Sequence, residues 1–192
     1  MKPELNYRDK AARWRDGESA NTWGRIIRYD KNQNRLIREI MGRISGNCRR
    51  VLDLWSWDGR VSGMLPEEIE YTWVDFSRLV DDCSVHCEQL ALKRKFFKHD
   101  LTEWIPTWVG RDFDLILALY VLHFFTPAWI EKLLSEARGL LSSKGAIVYV
   151  WYDNDPKTER LSRRVMEQLG LVVYDIGEFD SSRYVWHIGR IK

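Results

Sequence analysis

Three aspartates each follow a short apolar run: Asp53 in Val51-Leu52-Asp53-Leu54, Asp75 after Tyr71-Thr72-Trp73-Val74, and Asp100 after Phe96-Phe97-Lys98-His99. Asp75 lies 22 residues beyond Asp53. A carboxylate about 20 residues past a tight turn suits a ribose diol, because one deprotonated acid accepts from both hydroxyls. Asp100 stands where a side chain accepts from an exocyclic amine on a base. Together the three describe a nucleoside-shaped cleft. One aspartate at a strand end is as often a turn or helix cap, but three after successive strands form a pattern.

The elements that must position these acids are readable as alternating periodicities. Arg50–Trp55, Glu70–Asp75, Lys95–Lys98, Phe113–Leu119 and Ala146–Tyr152 are short apolar β-type runs. Between them lie helical stripes: Leu36, Ile37, Ile40, Met41 and Ile44, then Leu79, Val80, Cys83, Cys87 and Leu90. Thr126-Pro127 supplies an N-cap and a first-turn proline for a helix carrying Trp129, Ile130, Leu133, Leu134, Ala137 and Leu141. Asp155-Pro156 does the same for a helix with Leu161, Val165, Met166 and Leu169, stopped by Gly170. Leu171–Ile176 and Tyr184–Ile188 read as an antiparallel hairpin. Strand and helix in alternation predict an α/β domain, a mainly parallel sheet with helices on both faces. Ligands of such sheets bind beyond the carboxyl ends of the strands. The residues to read are therefore 53–59, 75, 100 and 118–123.

The 192 residues, 45% hydrophobic and 30% charged, exclude a disordered chain or a disulfide scaffold. Three cysteines at no disulfide-like spacing point to a reducing, cytoplasmic setting. No apolar run approaches the roughly 18 residues of a membrane span, so no membrane partner is expected. Cys83, His86 and Cys87 lie within one helical turn, where three side chains cannot surround a tetrahedral ion, so no metal is expected. The net charge is only +2, yet residues 1–50 hold thirteen basic and six acidic residues. This segment divides into a basic helical extension or lid, 1–34, and the start of a single α/β domain, 35–192. Trp14 and Trp23 fall in the extension, among Arg13, Arg15, Arg25 and Arg28. Aromatics among arginines suit an acceptor pocket or an RNA, and equally a helix anchored by its indoles.

The series Val51-Leu-Asp-Leu-Trp-Ser-Trp-Asp-Gly-Arg-Val61, Tyr71-Thr-Trp-Val-Asp-Phe-Ser77, His99-Asp-Leu101 and Phe113–His123 resembles the class I S-adenosylmethionine-dependent methyltransferases. Leu140–Ala146 is similar to the family's segment before strand five, and the final hairpin to its strands six and seven. The resemblance spans about residues 35–192. It implies a Rossmann-like, seven-stranded, mainly parallel sheet with an antiparallel C-terminal hairpin, and S-adenosylmethionine as cofactor. It further implies that Asp53 holds the methionine amino group through a nearby network, while Asp75 holds the ribose, Phe76 lies against the adenine and Asp100 meets the adenine amine. Trp55, Ser56, Trp57, Gly59, Leu101, Ala118 and Leu119 would line the same site. Tyr120 and His123, beyond strand four, would face the methyl acceptor, a small molecule in preference to RNA.

The sequence departs from the family in its first loop. The usual acid-x-Gly-x-Gly-x-Gly reads Asp53-Leu-Trp55-Ser-Trp57-Asp-Gly59 here. The middle glycine lets backbone pass close to the cofactor, and an indole there must point away or fill that space. Two readings follow. In one, a working methyltransferase re-routes the loop and stacks Trp57 on the sulfonium. In the other, Trp57 blocks or alters the cleft, leaving a methyltransferase-like binding or partner protein without catalysis.

Overall fold

A computed structural model describes residues 35, 38–42, 48–54, 61–75, 93–101, 103–119, 121–122, 125–152, 156–179 and 184–191. The strands are β1 (Arg50–Leu54), β2 (Glu70–Asp75), β3 (Arg94–Lys98), β4 (Phe113–Leu119), β5 (Leu141–Tyr152), β6 (Leu171–Phe179) and β7 (Tyr184–Ile191). They form one seven-stranded sheet in the order β3-β2-β1-β4-β5-β7-β6. The pairs from β3 through β5 are parallel, while β7 runs antiparallel to both β5 and β6. Strand order reverses at β1, whose neighbours are β2 on one side and β4 on the other.

Both faces of the sheet are covered, which is why the central strands are apolar at nearly every position. One face presents Leu52, Leu54, Val74, Ile116, Ala118, Ile147 and Tyr149 to helices α1 (Pro127–Leu140) and α2 (Pro156–Gln168). The opposite face carries Val51, Tyr71, Trp73, Leu115, Leu117, Val148 and Val150, packed with Ile40, Met41, Val61 and Leu65. Residues 38–42 are helical and bury Ile40 and Met41, as their stripe predicts. Helix α1 opens as expected, Pro127 following Thr126, whose hydroxyl accepts from the Trp129 amide at 3.4 Å. Gly170, with φ +75°, follows the end of α2 in a conformation that glycine tolerates best.

Several strand boundaries differ from the sequence reading, β3 by one residue, at Arg94. Leu141, placed on the helix by its apolar spacing, instead opens β5 and pairs with Phe113. The register then shifts between Phe113 and Leu115, where a Cβ on Gly145 would come within 2.7 Å of the Phe113 carbonyl oxygen. The hairpin strands also run further than their apolar cores, to Phe179 and Ile191. The stripe from Leu79 to Leu90 and the extension 1–34 lie outside the described residues.

The amino-terminal edge of the sheet is fastened by polar contacts. The Asp114 carboxylate accepts from the amides of Arg49 (2.8 Å) and Arg50 (3.0 Å) and from the Ser142 hydroxyl (3.3 Å). The Arg50 guanidinium pairs with Glu70 at 3.3 Å, lies 5.1 Å from the Phe113 ring centroid and donates to the Arg111 carbonyl. One residue before this knot, burial and then the charge of Asp114 push the Cys48 thiol up to about 11, against a lowering hydrogen bond at the Arg50 backbone.

Replacing Asp114 with Ala leaves two amides without their charged acceptor and is expected to cost about 1–2 kcal/mol, read from the urea midpoint at constant m. The same change removes a raising charge beside Cys48. In a Cys83→Ser, Cys87→Ser background, the pH midpoint of Cys48 alkylation, about 11 in the parent, is expected to fall.

Candidate functional site at the carboxyl edge of the sheet

Asp53 is the fourth residue of β1 and has no solvent exposure. It stands opposite Trp73 in β2 and Leu117 in β4, on the face that also carries Val51 and Tyr71. A buried carboxylate requires donors, and the Tyr71 hydroxyl supplies one, reaching Asp53 Oδ2 at 2.5 Å. The indole N–H of Trp73, fully buried, has no hydrogen-bond partner among the described residues.

Asp75 ends β2 two residues beyond Trp73, so its side chain takes the same face as that of Asp53. It is 1% exposed and pairs in register with Lys98 of β3. Its carbonyl accepts from the His99 amide at 2.9 Å, which carries the sheet pairing one step past the strand end. Asp100 follows immediately, half-buried, and its carbonyl accepts from the Glu103 amide at 3.1 Å. Parallel pairing with this register brings Asp53, Asp75 and Asp100 to the carboxyl ends of three adjacent strands.

The loop bearing Asp100 is held from the helical layer. The Ile105 amide donates to Glu136 of α1 at 2.7 Å, and Lys132 of α1 donates to the Glu103 carbonyl. Lys132 also lies 4.3 Å from the Trp129 ring centroid. Within the loop, His99 Nε2–H donates to the Trp104 carbonyl at 2.9 Å. Trp108 packs on Phe97 with centroids 4.5 Å apart. Trp104 and Trp108 remain 53% and 54% exposed. Trp129 packs against the core from α1, as expected.

Among the remaining residues assigned to the site from sequence, Leu101 and Ala118 belong to the core on the α1 face. Leu119 belongs to the opposite core. Trp55, Ser56, Trp57, Gly59, Phe76, Tyr120 and His123 lie outside the described residues, as do Trp14 and Trp23. So do Cys83, His86 and Cys87; no cluster of metal-ligating side chains occurs among the described residues. No described helix is long and apolar enough to cross a membrane. Tyr149, opposite Ala118 in register, is no base for this site. Burial first, then Glu159, raises its phenol far above the ordinary value and keeps it protonated.

Tyr71 and Arg94 escaped the sequence reading. Arg94 donates to the Ser62 hydroxyl at 3.1 Å and to the carbonyls of Leu65 and Pro66, each at 3.2 Å, and also to that of Ile69. Its guanidinium carbon lies 5.8 Å from the Tyr71 ring centroid. The one available signal was a tyrosine inside a buried strand, whose hydroxyl must find a partner. Chemically, the residues at this edge are acceptors, three carboxylates in strand order. The ammonium, ribose diol and exocyclic amine of S-adenosylmethionine are all donors. The residues present therefore fit that cofactor.

No protein-family profile matches the sequence, and no curated protein matches it. Solved structures do match in shape. The 1,6-didemethyltoxoflavin-N1-methyltransferase of Burkholderia thailandensis aligns with a TM-score of 0.76 at 18% identity, over 100% of this chain and 93% of that one. The magnesium protoporphyrin IX methyltransferase of Synechocystis PCC 6803 aligns at 0.72 and 12%, over the full length of both. The [4+2]-cyclase SpnF aligns at 0.66 and 13%, over 82% of this chain and 80% of that one. The chain spans about half, 54%, of the pyocyanin biosynthetic protein PhzM, at TM-score 0.63, 11% identity and 81% of its own length. At these identities the likeness concerns the fold, and the fold is the Rossmann-like one of the class I S-adenosylmethionine-dependent methyltransferases.

Proposed function

We propose that this chain is an S-adenosylmethionine-dependent methyltransferase acting on a small-molecule acceptor. The observation that carries the reading is the alignment of Asp53, Asp75 and Asp100 at the carboxyl edge, beside the strand where the sheet order reverses. Two of the structures it resembles are methyltransferases of small molecules, 1,6-didemethyltoxoflavin and magnesium protoporphyrin IX, which supports the choice of acceptor class. The cyclase among them is the reason that the site, and not the fold, must carry the argument.

On this reading Asp53 holds the methionine amino group through a nearby network, Asp75 the ribose hydroxyls and Asp100 the adenine amine, with Phe76 against the adenine ring. The sulfonium of the cofactor supplies an electrophilic methyl group. The protein's part is to hold an acceptor atom in line with that methyl at near-attack distance, where positioning alone supplies much of the rate. Tyr120 and His123, which follow β4 in the chain, are the residues assigned to face the acceptor. Either can take its proton where the nucleophile has a high pKa.

Saturation with S-adenosylmethionine tests this directly. At 100 times its dissociation constant the ligand adds about 2.7 kcal/mol of stability, which raises the melting temperature of a chain this size by about 5–10 °C. Asp75→Asn, which keeps the side-chain volume and loses the charge, is expected to lose most of that shift. No shift in the parent protein overturns the proposal.

A further inference from the structure

Asp53 does not sit alone on its face of the sheet. Val51 is opposite Tyr71, and Asp53 is opposite Trp73, so Tyr71 is the diagonal neighbour of Asp53 across the β1–β2 pair. Such diagonal neighbours are within reach of long aromatic side chains. Both groups are buried, and the Tyr71 hydroxyl donates to Asp53 Oδ2 at 2.5 Å.

The tyrosine ring is itself fixed. Phe96 meets it edge-on with centroids 6.5 Å apart, and the Arg94 guanidinium stands 5.8 Å from its centroid. Arg94 is bound to the segment before β2, through Ser62 and the carbonyls of Leu65, Pro66 and Ile69. These acceptors hold Arg94 beside the buried ring.

We propose that Tyr71 is a positioning residue for Asp53: its hydroxyl fixes the plane of the carboxylate that anchors the network holding the amino group of the donor's methionine arm. The proposal rests on the reading of this edge as an S-adenosylmethionine site. The torsion that turns a carboxylate is broad and two-fold, so a donor on one oxygen narrows the orientations open to Asp53. A donor on Oδ2 does so before the ligand arrives, and the ligand then does not bear the ordering cost. Because the carboxylate is planar, fixing one oxygen also fixes the direction of the other.

Tyr71→Phe removes the hydroxyl and keeps the ring. Isothermal titration calorimetry with S-adenosylhomocysteine and with 5′-methylthioadenosine, which lacks the amino-acid arm, separates positioning from mere packing. Tyr71→Phe is expected to bind S-adenosylhomocysteine about tenfold more weakly and to bind 5′-methylthioadenosine as the parent does. Unchanged affinity for S-adenosylhomocysteine overturns the proposal. Equal weakening or loss of both ligands in the variant also overturns it, since Tyr71 then serves the fold. Failure of the parent protein to bind either ligand overturns the proposed function, and this inference with it.

Discussion

A carboxylate without solvent contact in the first strand of a parallel sheet is costly unless donors surround it, and the rest of the site follows from how that requirement is met. Asp53 meets it in part through Tyr71, which can reach it only because β1 and β2 pair in one particular register. A slip of one residue would turn Tyr71 and Asp53 to opposite faces and leave an acid in the core. The same register sets Asp75 two positions further along that face and Asp100 just past the next strand. The polar requirement of one buried acid and the geometry of the carboxyl edge are thus a single constraint.

The two ends of the sheet divide the work. At the amino-terminal edge, Asp114 and Arg50 satisfy backbone groups of β1 and β4 and tie β2 to β1. These contacts are local, partly exposed and concerned with stability. At the carboxyl edge the acids follow one another in strand order, and the loop carrying Asp100 is braced by Glu136 and Lys132 from α1. Arg94, at the opposite end of β3, instead ties that strand to the segment before β2.

Much of this was legible in the sequence. Central strands with both faces buried must be apolar throughout, so β1, β2, β4 and the body of β5 announced themselves, as did the proline-started helices α1 and α2. Less legible were features that depend on pairing partners. The start of β5 at Leu141 follows from its bridge to Phe113, which no helical spacing reveals. The outer ends of β6 and β7 hold because they pair with each other, although Gly177 and Glu178 carry no strand signal. The three acids were visible as residues at strand ends. The hydroxyl that holds one of them was not, since a diagonal contact appears only once the register is known. Arg94 was hidden for a related reason: its acceptors are backbone carbonyls, and any sequence has those.

The central claim is that the three aspartates embrace the nucleoside and amino-acid arm of one donor molecule, and a crystal structure grown with S-adenosylhomocysteine tests it most directly. The account predicts density along the carboxyl edge, with Asp75 on both ribose hydroxyls, Asp100 at the adenine amine and Asp53 toward the amino group. An empty edge with the Trp57 indole lying in the nucleoside's volume would contradict it.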